Sequence, residues 1–335
     1  MNIDDVLRVL EDVRLDLSMN RGITPHLTQI HEDNEGNLHI VASDRAEKSL
    51  LIGPRGRIVA EIAKRVERSI SIYSQDELLV RKHRLDLTKD RIRELLPKAS
   101  TTHSKILDIL MYQLGDEPYL FEQKIHRKYH LEKRGVSVAF SGGVDSGASL
   151  ILAQKMGLNP TAITVNPGKR FLGPHIKKWI QKWCQQMEIP LIIIDSQKEM
   201  SEILGKVSEG KIHPCNLCHE ITMNAAFSEA KKRNFHTIIS GEMLPTGRQS
   251  LLIQNDILKI HLPAALALTK HDTVKICTPY SFIGSNSFGC HVVEEAHQQR
   301  FGIREASVFR VLRELQAGVL STGQALTYIK KILKK

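Results

Sequence analysis

The sequence lacks long apolar segments, and this excludes a protein built on membrane-spanning helices. No apolar run in the 335 residues approaches the ~18 residues that cross a bilayer. The start Met1-Asn-Ile-Asp-Asp has no basic, apolar pattern of a secretory signal peptide. The five cysteines are an odd number, which does not suit a disulfide framework. We therefore expect a cytoplasmic protein, without a membrane partner, whose cysteines serve metal binding or catalysis.

Compositional extremes are also missing. Hydrophobic residues make up 41% and charged residues 25% of the chain, which is ordinary for a globular protein and excludes a disordered or collagen-like one. The sequence contains neither an internal repeat nor a low-complexity segment. A chain of 335 residues is long enough for two domains and a small third piece.

Positive charge is in excess and is unevenly distributed. The formal net charge is +10, made up of −6 over residues 1–44, +6 over 45–98, +1 over 99–134 and +9 over 135–335. Two basic regions favour a polyanionic partner such as RNA, although proteins that bind only nucleotides are often basic as well.

Helix and strand patterns surround a glycine-bounded loop near the start of the chain. Apolar positions recur with a helical period over residues 2–17, and Leu38-His-Ile-Val41 alternates as a strand. Gly53-Pro-Arg-Gly56 lies between two helical patterns, the first of which ends near Ile52, and Ile70-Ser-Ile-Tyr73 alternates as a further strand. The sequence thus predicts strand, helix, Gly-x-x-Gly, helix and strand in that order.

This order, over about residues 37–75, resembles the minimal core of a KH domain. In that family the glycine loop lets a nucleic-acid backbone approach closely. The resemblance implies that Gly53 and Gly56 keep side chains away from a phosphate while Arg55 and Arg57 supply positive charge. A simple interhelical turn and a KH-like fold used only for packing are the alternatives.

The remaining patterns divide the chain into a connector and an α/β region. We expect an N-terminal domain over 1–98, a helical connector over 99–134 and a further domain over 135–335. Short apolar strands separated by amphipathic helices predict an α/β domain with a doubly wound, mainly parallel sheet. The predicted strands are 136–140, 161–165, 191–195 and 237–240, and the predicted helices are 85–96, 106–114, 120–129, 147–156, 174–187, 291–299, 304–316 and 321–333.

The sharpest local signal is Phe140-Ser-Gly-Gly-Val-Asp-Ser146, which follows an apolar strand and begins a helix. Two glycines and short hydroxyl side chains allow backbone N–H groups to converge on an anion, and the helix N-terminus adds partial positive charge. The loop is not a Walker A loop, because the Gly-Lys-Ser/Thr ending is absent.

Ser-Gly-Gly-x-Asp-Ser at a strand-to-helix turn is similar to the fingerprint of the PP-loop ATP pyrophosphatases, which adenylate an oxygen and release pyrophosphate. The resemblance implies that the loop holds the pyrophosphate portion of ATP, with Asp145 near Mg²⁺. A second glycine-led segment, Ser240–Gly247, stands where the family has another nucleotide-lining loop. The residues assigned to ATP by this resemblance are Ser141, Gly142, Gly143, Asp145, Ser146, Gly241, Glu242 and Thr246. His261 and the segment Val165–Gly168 depart from the family pattern.

Three cysteines form the remaining signal. Cys215 and Cys218 make a Cys-x-x-Cys pair, and Cys290 lies 72 residues after Cys218. Thiolates favour an iron–sulfur cluster or Zn²⁺, and a redox or persulfide pair is a third option. For zinc, a histidine would complete the ligand set, and candidates are His213, His219 and His291. Cys184 and Cys277 are expected in the core.

Among PP-loop proteins, a Cys-x-x-Cys pair with a distant third cysteine resembles the iron–sulfur tRNA thiolation enzymes. The resemblance implies a [4Fe-4S] cluster on Cys215, Cys218 and Cys290, and it makes Asp145, Ser146 and these cysteines the expected catalytic residues. It also implies an RNA substrate, specifically tRNA, a sulfide or persulfide donor, and a homodimer as an option. One alternative is a PP-loop enzyme that amidates or thiolates a small molecule and holds a structural zinc. Another is a nucleotide-sensing RNA-binding protein without turnover.

Overall fold

The computed structural model describes residues 1–19, 22–33, 36–114, 135–208, 212–282, 289–299 and 301–334. These residues form two compact units. Unit 1 comprises residues 1–83, and unit 2 comprises residues 84–114 together with the described residues from 135 onward. The helix expected over 120–129 lies outside the described residues. Within the described ranges, no helix is both long and apolar enough to cross a membrane.

Unit 1 is a three-stranded sheet with helices that share its core. Its elements are α1 (Ile3–Asp16), β1 (Leu27–Glu32), β2 (Leu38–Ala42), α2 (Arg45–Ile52), α3 (Arg57–Arg65) and β3 (Ile70–Ser74). β2 is central, antiparallel to β1 and parallel to β3. Val6 and Leu10 of α1, Leu51 of α2 and Ile62 of α3 pack with Ile40 of β2 in one buried cluster.

The predicted order of strand, helix, Gly-x-x-Gly, helix and strand is present in unit 1. β1 was not predicted, because Leu27-Thr-Gln-Ile-His-Glu32 carries only two apolar side chains. As an edge strand it gains its structure from pairing with β2, which is a tertiary effect.

Unit 2 is built on a six-stranded sheet of order β6-β5-β4-β7-β9-β8. β4, β5, β6, β7 and β9 are parallel, and β8 is antiparallel to β9. This confirms the prediction of an α/β region with a mainly parallel sheet. The strands are β4 (Ser137–Ala139), β5 (Thr161–Asn166), β6 (Leu191–Asp195), β7 (Thr237–Ser240), β8 (Leu251–Gln254) and β9 (Ile257–His261).

The chain extends the sheet from β4 to one side through β5 and β6, and then continues on the other side with β7. The carboxyl ends of β4 and β7 therefore form a switch point, where open α/β sheets bind ligands. The unpredicted hairpin between β8 and β9 turns at Asn255 and Asp256, which both have positive φ angles, of 49° and 61°.

The helices of unit 2 follow the predicted order with shifted ends. The predicted helix 85–96 begins much earlier, at Gln75, and runs from unit 1 into unit 2. The helices are α4 (Gln75–Leu95), α5 (Thr101–Gln113), α6 (Val144–Lys155), α7 (Pro174–Gln186), α8 (Gln197–Ser208), α9 (Pro214–Lys232), α10 (Leu262–Ala265), α11 (Lys270–Cys277), α12 (His291–Gln299), α13 (Phe301–Gln316) and α14 (Thr322–Leu333).

Candidate nucleotide and cysteine site

The loop Ser141–Ser146, here called the PP-loop, joins β4 to α6 and is closed by its own hydroxyl groups. Ser146 Oγ donates to the Gly143 carbonyl at 2.9 Å and accepts from Ser141 N at 3.3 Å. Ser141 Oγ lies 3.1 Å from Ser146 Oγ and accepts from Gly143 N at 3.3 Å. The two serines therefore fix the loop from inside, which suits a preformed anion cradle at a helix N-terminus.

Two glycines at the PP-loop lie where the Cβ of any other residue would clash with neighbouring atoms. A Cβ on Gly241, the first residue after β7, would lie 2.6 Å from Ser146 N and 2.8 Å from Asp145 C. Gly142 has φ +78°, and a Cβ there would lie 2.9 Å from Ile180 of α7. The loops after β4 and β7 are thus in direct contact, which places Gly241 beside the PP-loop. Thr246 lies five residues after Gly241, as the N-cap residue of the 3₁₀ turn Gly247–Ser250.

Asp145 has two partners that sequence reasoning missed. Lys270 Nζ lies 2.7 Å from Oδ1 and 2.8 Å from Oδ2 of Asp145. Thr273 Oγ1 lies 2.9 Å from Oδ1. Lys270 and Thr273 lie one turn apart on α11, whose start is fixed by a capping box of Thr269 and Asp272. The capping pattern was visible in the sequence, but its proximity to Asp145 was not.

Glu242 lies beside two histidines. Its Oε1 is 3.3 Å from His219 Nε2 and 3.5 Å from His261 Nδ1. Burial raises the pKa of Glu242, but the two histidines outweigh burial and the net pKa is lowered. Burial, opposed by Glu242, lowers the pKa of His261 to about 4. His261 Nδ1 also lies 2.7 Å from Ser240 Oγ, which agrees with a buried neutral ring.

The three candidate cysteines lie near one another in unit 2. Cys215 and Cys218 are on the first turn of α9, and Cys290 directly precedes α12. Burial is the main cause that raises the Cys215 pKa, and the charge of Cys290 raises it further. Burial, then Cys290 and Cys215, raise the pKa of Cys218 to about 12. Among the described residues, no group of three His, Cys, Asp or Glu side chains is already arranged to hold a metal ion.

His213 orients the first turn of α9. Its Nδ1 accepts a hydrogen bond from Cys215 N at 3.3 Å, and its Nε2 lies 2.9 Å from Ser307 Oγ. Ser307 Oγ in turn lies 2.7 Å from His297 Nε2. Because Nδ1 of His213 is an acceptor, Nε2 donates to Ser307, whose hydroxyl donates to His297. Burial lowers the pKa of both histidines, which agrees with neutral rings.

The three histidines next to the cysteines differ in their contacts. Both ring nitrogens of His213 are hydrogen-bonded, so the expectation of His213 as a zinc ligand does not agree with its contacts. His219 Nε2 lies 3.3 Å from Glu242 Oε1, and His291 Nδ1 lies 3.1 Å from Glu295 Oε1. These contacts use one ring nitrogen of each, so His219 and His291 stay candidate ligands beside the three thiols.

Arg310 of α13 acts electrostatically on a candidate cysteine, and sequence reasoning missed it. Its positive charge lowers the pKa of the Cys215 thiol against the larger effect of burial. Burial lowers the pKa of Arg310, whereas Glu314, Cys215 and Asp145 raise it more, so the net pKa is raised. Cys215 and Asp145 thus both act on one guanidinium group.

The other two cysteines are buried, as predicted. Cys184 and Cys277 are 1% and 3% exposed. Burial raises the pKa of each to about 12, and Cys277 Sγ lies 3.4 Å from the Val144 carbonyl.

In unit 1, the loop Gly53–Gly56 is a turn in which three of the four residues have positive φ angles. Gly53, Arg55 and Gly56 have φ angles of 68°, 57° and 75°. A Cβ on Gly53 would lie 2.4 Å from Ile58 Cγ1, whereas one on Gly56 would meet only Val59, at 4.0 Å. Arg55 and Arg57 are exposed and have no ion-pair partner in the part of the chain that the structure describes.

Comparisons with known proteins place this geometry as follows. No protein-family model matches the chain. Over 214 residues the chain is 28% identical to an uncharacterized protein of Methanocaldococcus jannaschii, and the alignment covers 64% of this chain and 80% of that protein. Among solved structures, the chain is similar to the U34-tRNA thiolase NcsA from Methanococcus maripaludis with its [4Fe-4S] cluster. That match has a TM-score of 0.40 and 14% identity, and it covers 75% of this chain and 78% of that one.

Proposed function

We propose that this chain is an ATP-dependent sulfurtransferase that acts on RNA, and specifically on a uridine or cytidine of tRNA. The base carbonyl oxygen attacks the α-phosphorus of ATP, and pyrophosphate leaves. Sulfide then adds to the activated carbon, and AMP leaves with the former carbonyl oxygen. The observation that carries the proposal is the PP-loop, a preformed anion cradle closed by Ser141 and Ser146 at the start of α6, in the same unit as the three candidate cysteines.

The PP-loop has the chemistry for the first half of this reaction. Its backbone N–H groups and the start of α6 bind the β- and γ-phosphates, since anions bind at helix N-termini. The carboxylate of Asp145 fits Mg²⁺, which prefers oxygen ligands. Lys270 pairs with Asp145 in this structure. When the nucleotide binds, the Lys270 side chain can turn so that its ammonium group pairs with a phosphate oxygen instead. Such transfer chemistry needs positioning and charge neutralisation rather than a side-chain nucleophile.

The cysteines have the chemistry for the second half. Cys215, Cys218 and Cys290 would hold a [4Fe-4S] cluster, whose fourth iron would have no cysteine ligand. Such a cluster would supply sulfide for the transfer. A sulfide donor, or a persulfide donor together with a two-electron reductant, would replace the sulfide that is consumed. Arg310 offsets the negative charge of the Cys215 thiolate. In unit 1, the KH-like loop Gly53–Gly56 contributes to RNA binding.

The proposal is tested with protein purified anaerobically. Iron and acid-labile sulfide are measured in the wild type, in Cys290→Ala and in the core control Cys184→Ala. We expect about four of each per chain in the wild type and the control, and loss in Cys290→Ala. Tight zinc without sulfide would instead support the small-molecule ligase with a structural zinc.

Turnover is tested with tRNA, ATP and sulfide. We expect pyrophosphate and AMP to form in proportion to a thionucleoside that mass spectrometry detects in the digested tRNA. Pyrophosphate release that does not depend on tRNA, with no thionucleoside, would overturn the RNA part of the proposal.

A further inference from the structure

A second feature of unit 2 is a basic segment that the nucleotide and cysteine site does not use. Residues 168–186, which contain the loop after β5 and all of α7, have five Lys or Arg residues and no Asp or Glu. This segment therefore supplies more than half of the +9 charge of residues 135–335.

One face of α7 packs directly on the PP-loop. The Cβ that Gly142 lacks would lie 2.9 Å from Ile180 Cδ1 and 3.4 Å from Ile176 Cγ2. With about 3.6 residues per turn, Lys178 and Lys182 lie on the opposite face of the helix. Both lysines are exposed. The outer side of α7 is therefore separated from the PP-loop only by the thickness of α7 itself.

The outer lysines are not paired with carboxylates of the described residues. Lys169, Lys178 and Lys182 make no ion pair or hydrogen bond with any residue that the structure describes. Lys178 and Lys182 are an i, i+4 pair of like charge, which destabilises a helix. The first turn of α7 contains no acidic residue, and its N-cap residue Gly173 provides no side-chain hydrogen bond. Nothing on the described chain neutralises this surface.

We propose that Lys169, Lys178 and Lys182, here called the α7 face, bind backbone phosphates of the RNA substrate beside the PP-loop. This inference rests on the proposed function, because it identifies where unit 2 holds the RNA. The three cations are distributed along a helix and its preceding loop, which suits successive phosphates of a strand better than one small anion. Lysines that contact phosphates add affinity without reading sequence.

The experiment measures binding of an unmodified tRNA transcript to full-length protein by fluorescence anisotropy at several salt concentrations. The test variant is the double substitution Lys178→Gln and Lys182→Gln. The control is Lys231→Gln with Lys232→Gln, which removes two exposed charges at the end of α9, just before β7 begins. ATP binding is measured separately by calorimetry.

We expect the test variant to bind tRNA about tenfold more weakly. The slope of log affinity against log salt concentration should become smaller in magnitude by about one to two. ATP binding should equal that of the wild type. The control should retain wild-type RNA affinity and slope. If the wild type binds tRNA and the test variant binds it equally well, the α7 proposal is overturned while the proposed function stands. A wild type that binds no tRNA at all would overturn the proposed function together with this inference.

Discussion

Lys270 and Asp145 form a two-point ion pair in which one ammonium group lies within 2.8 Å of both carboxylate oxygens. The two residues are 125 positions apart in the chain. Asp145 is on the PP-loop, and its side chain is 30% exposed. Under the proposed function Mg²⁺ takes the same carboxylate, so we expect Lys270 to exchange partners when nucleotide binds and its ammonium group to become available for phosphate.

Lys270→Ala should therefore impair nucleotide chemistry more than stability. We expect AMP formation to fall about 100-fold, the usual effect of removing one preorganised electrostatic contact. The measurement is pyrophosphate release in the presence of tRNA and sulfide. Lys275→Ala on the outer side of the same helix removes an equal charge and should retain activity. Equal activity of both variants would argue against the partner exchange.

Gly241→Ala should disrupt the PP-loop through its backbone. The added methyl group would lie 2.6 Å from Ser146 N and 2.8 Å from Ser146 Cα, and a backbone atom cannot turn away as a side chain can. We expect loss of ATP binding in a calorimetric titration, with a melting temperature lowered by several degrees. Gly205→Ala on α8, where an added Cβ meets nothing within 4 Å, is the matched control and should bind ATP normally. Normal ATP binding by Gly241→Ala would contradict the contact between the two loops.

The local parts of this site could be predicted from the sequence. The PP-loop is one continuous segment with glycines in a fixed pattern, so its strand-loop-helix context follows from neighbouring residues alone. The same holds for the Cys-x-x-Cys pair on the first turn of α9. The parallel strands β4, β5, β6 and β7 were also predictable, since they are short and apolar and alternate with helices, whereas β9 was not predicted.

The connecting residues could not be predicted. Lys270 and Arg310 belong to helices that follow the PP-loop by more than a hundred residues, and only the packing of the sheet and C-terminal helices brings their charges to Asp145. In the sequence, a lysine and an arginine in amphipathic helices cannot be distinguished from ordinary solvated charges. The hydrogen bond between His213 and Ser307 could not be predicted either, because the two residues are 94 positions apart in the chain.

His261 should make the folded state sensitive to acid. Burial lowers its pKa from 6.5 to about 4 in the folded chain, so the unfolded chain takes up a proton at a higher pH than the folded one. The stability that the neutral ring contributes is complete above pH 6.5 and is lost as the pH falls towards 4. Relative to pH 8, we expect a loss of about 2 kcal/mol at pH 5 from this residue.

The check compares chemical denaturation of the wild type and His261→Gln at pH 8 and pH 5. The variant is less stable at pH 8 because it disturbs the contact with Ser240, which lies 2.7 Å from the ring. When the pH is lowered from 8 to 5, the variant should lose less free energy of unfolding than the wild type does. Parallel losses in the two proteins would exclude His261 as a source of the acid sensitivity.

The glycine loop of unit 1 offers a test of RNA binding that is independent of the ATP site. Arg55 has φ 57°, so Asn is a suitable replacement because it tolerates this left-handed conformation, and Gln can replace Arg57. We expect the double variant to bind tRNA about tenfold more weakly, with ATP binding retained, since each exposed arginine can neutralise one phosphate. Arg8→Gln on α1 removes an equally exposed charge that pairs with Asp5, and it should bind tRNA like the wild type. Unchanged affinity in the Arg55 and Arg57 variant would mean that the loop is a structural turn. RNA recognition would then depend on unit 2, where the α7 face is the candidate surface.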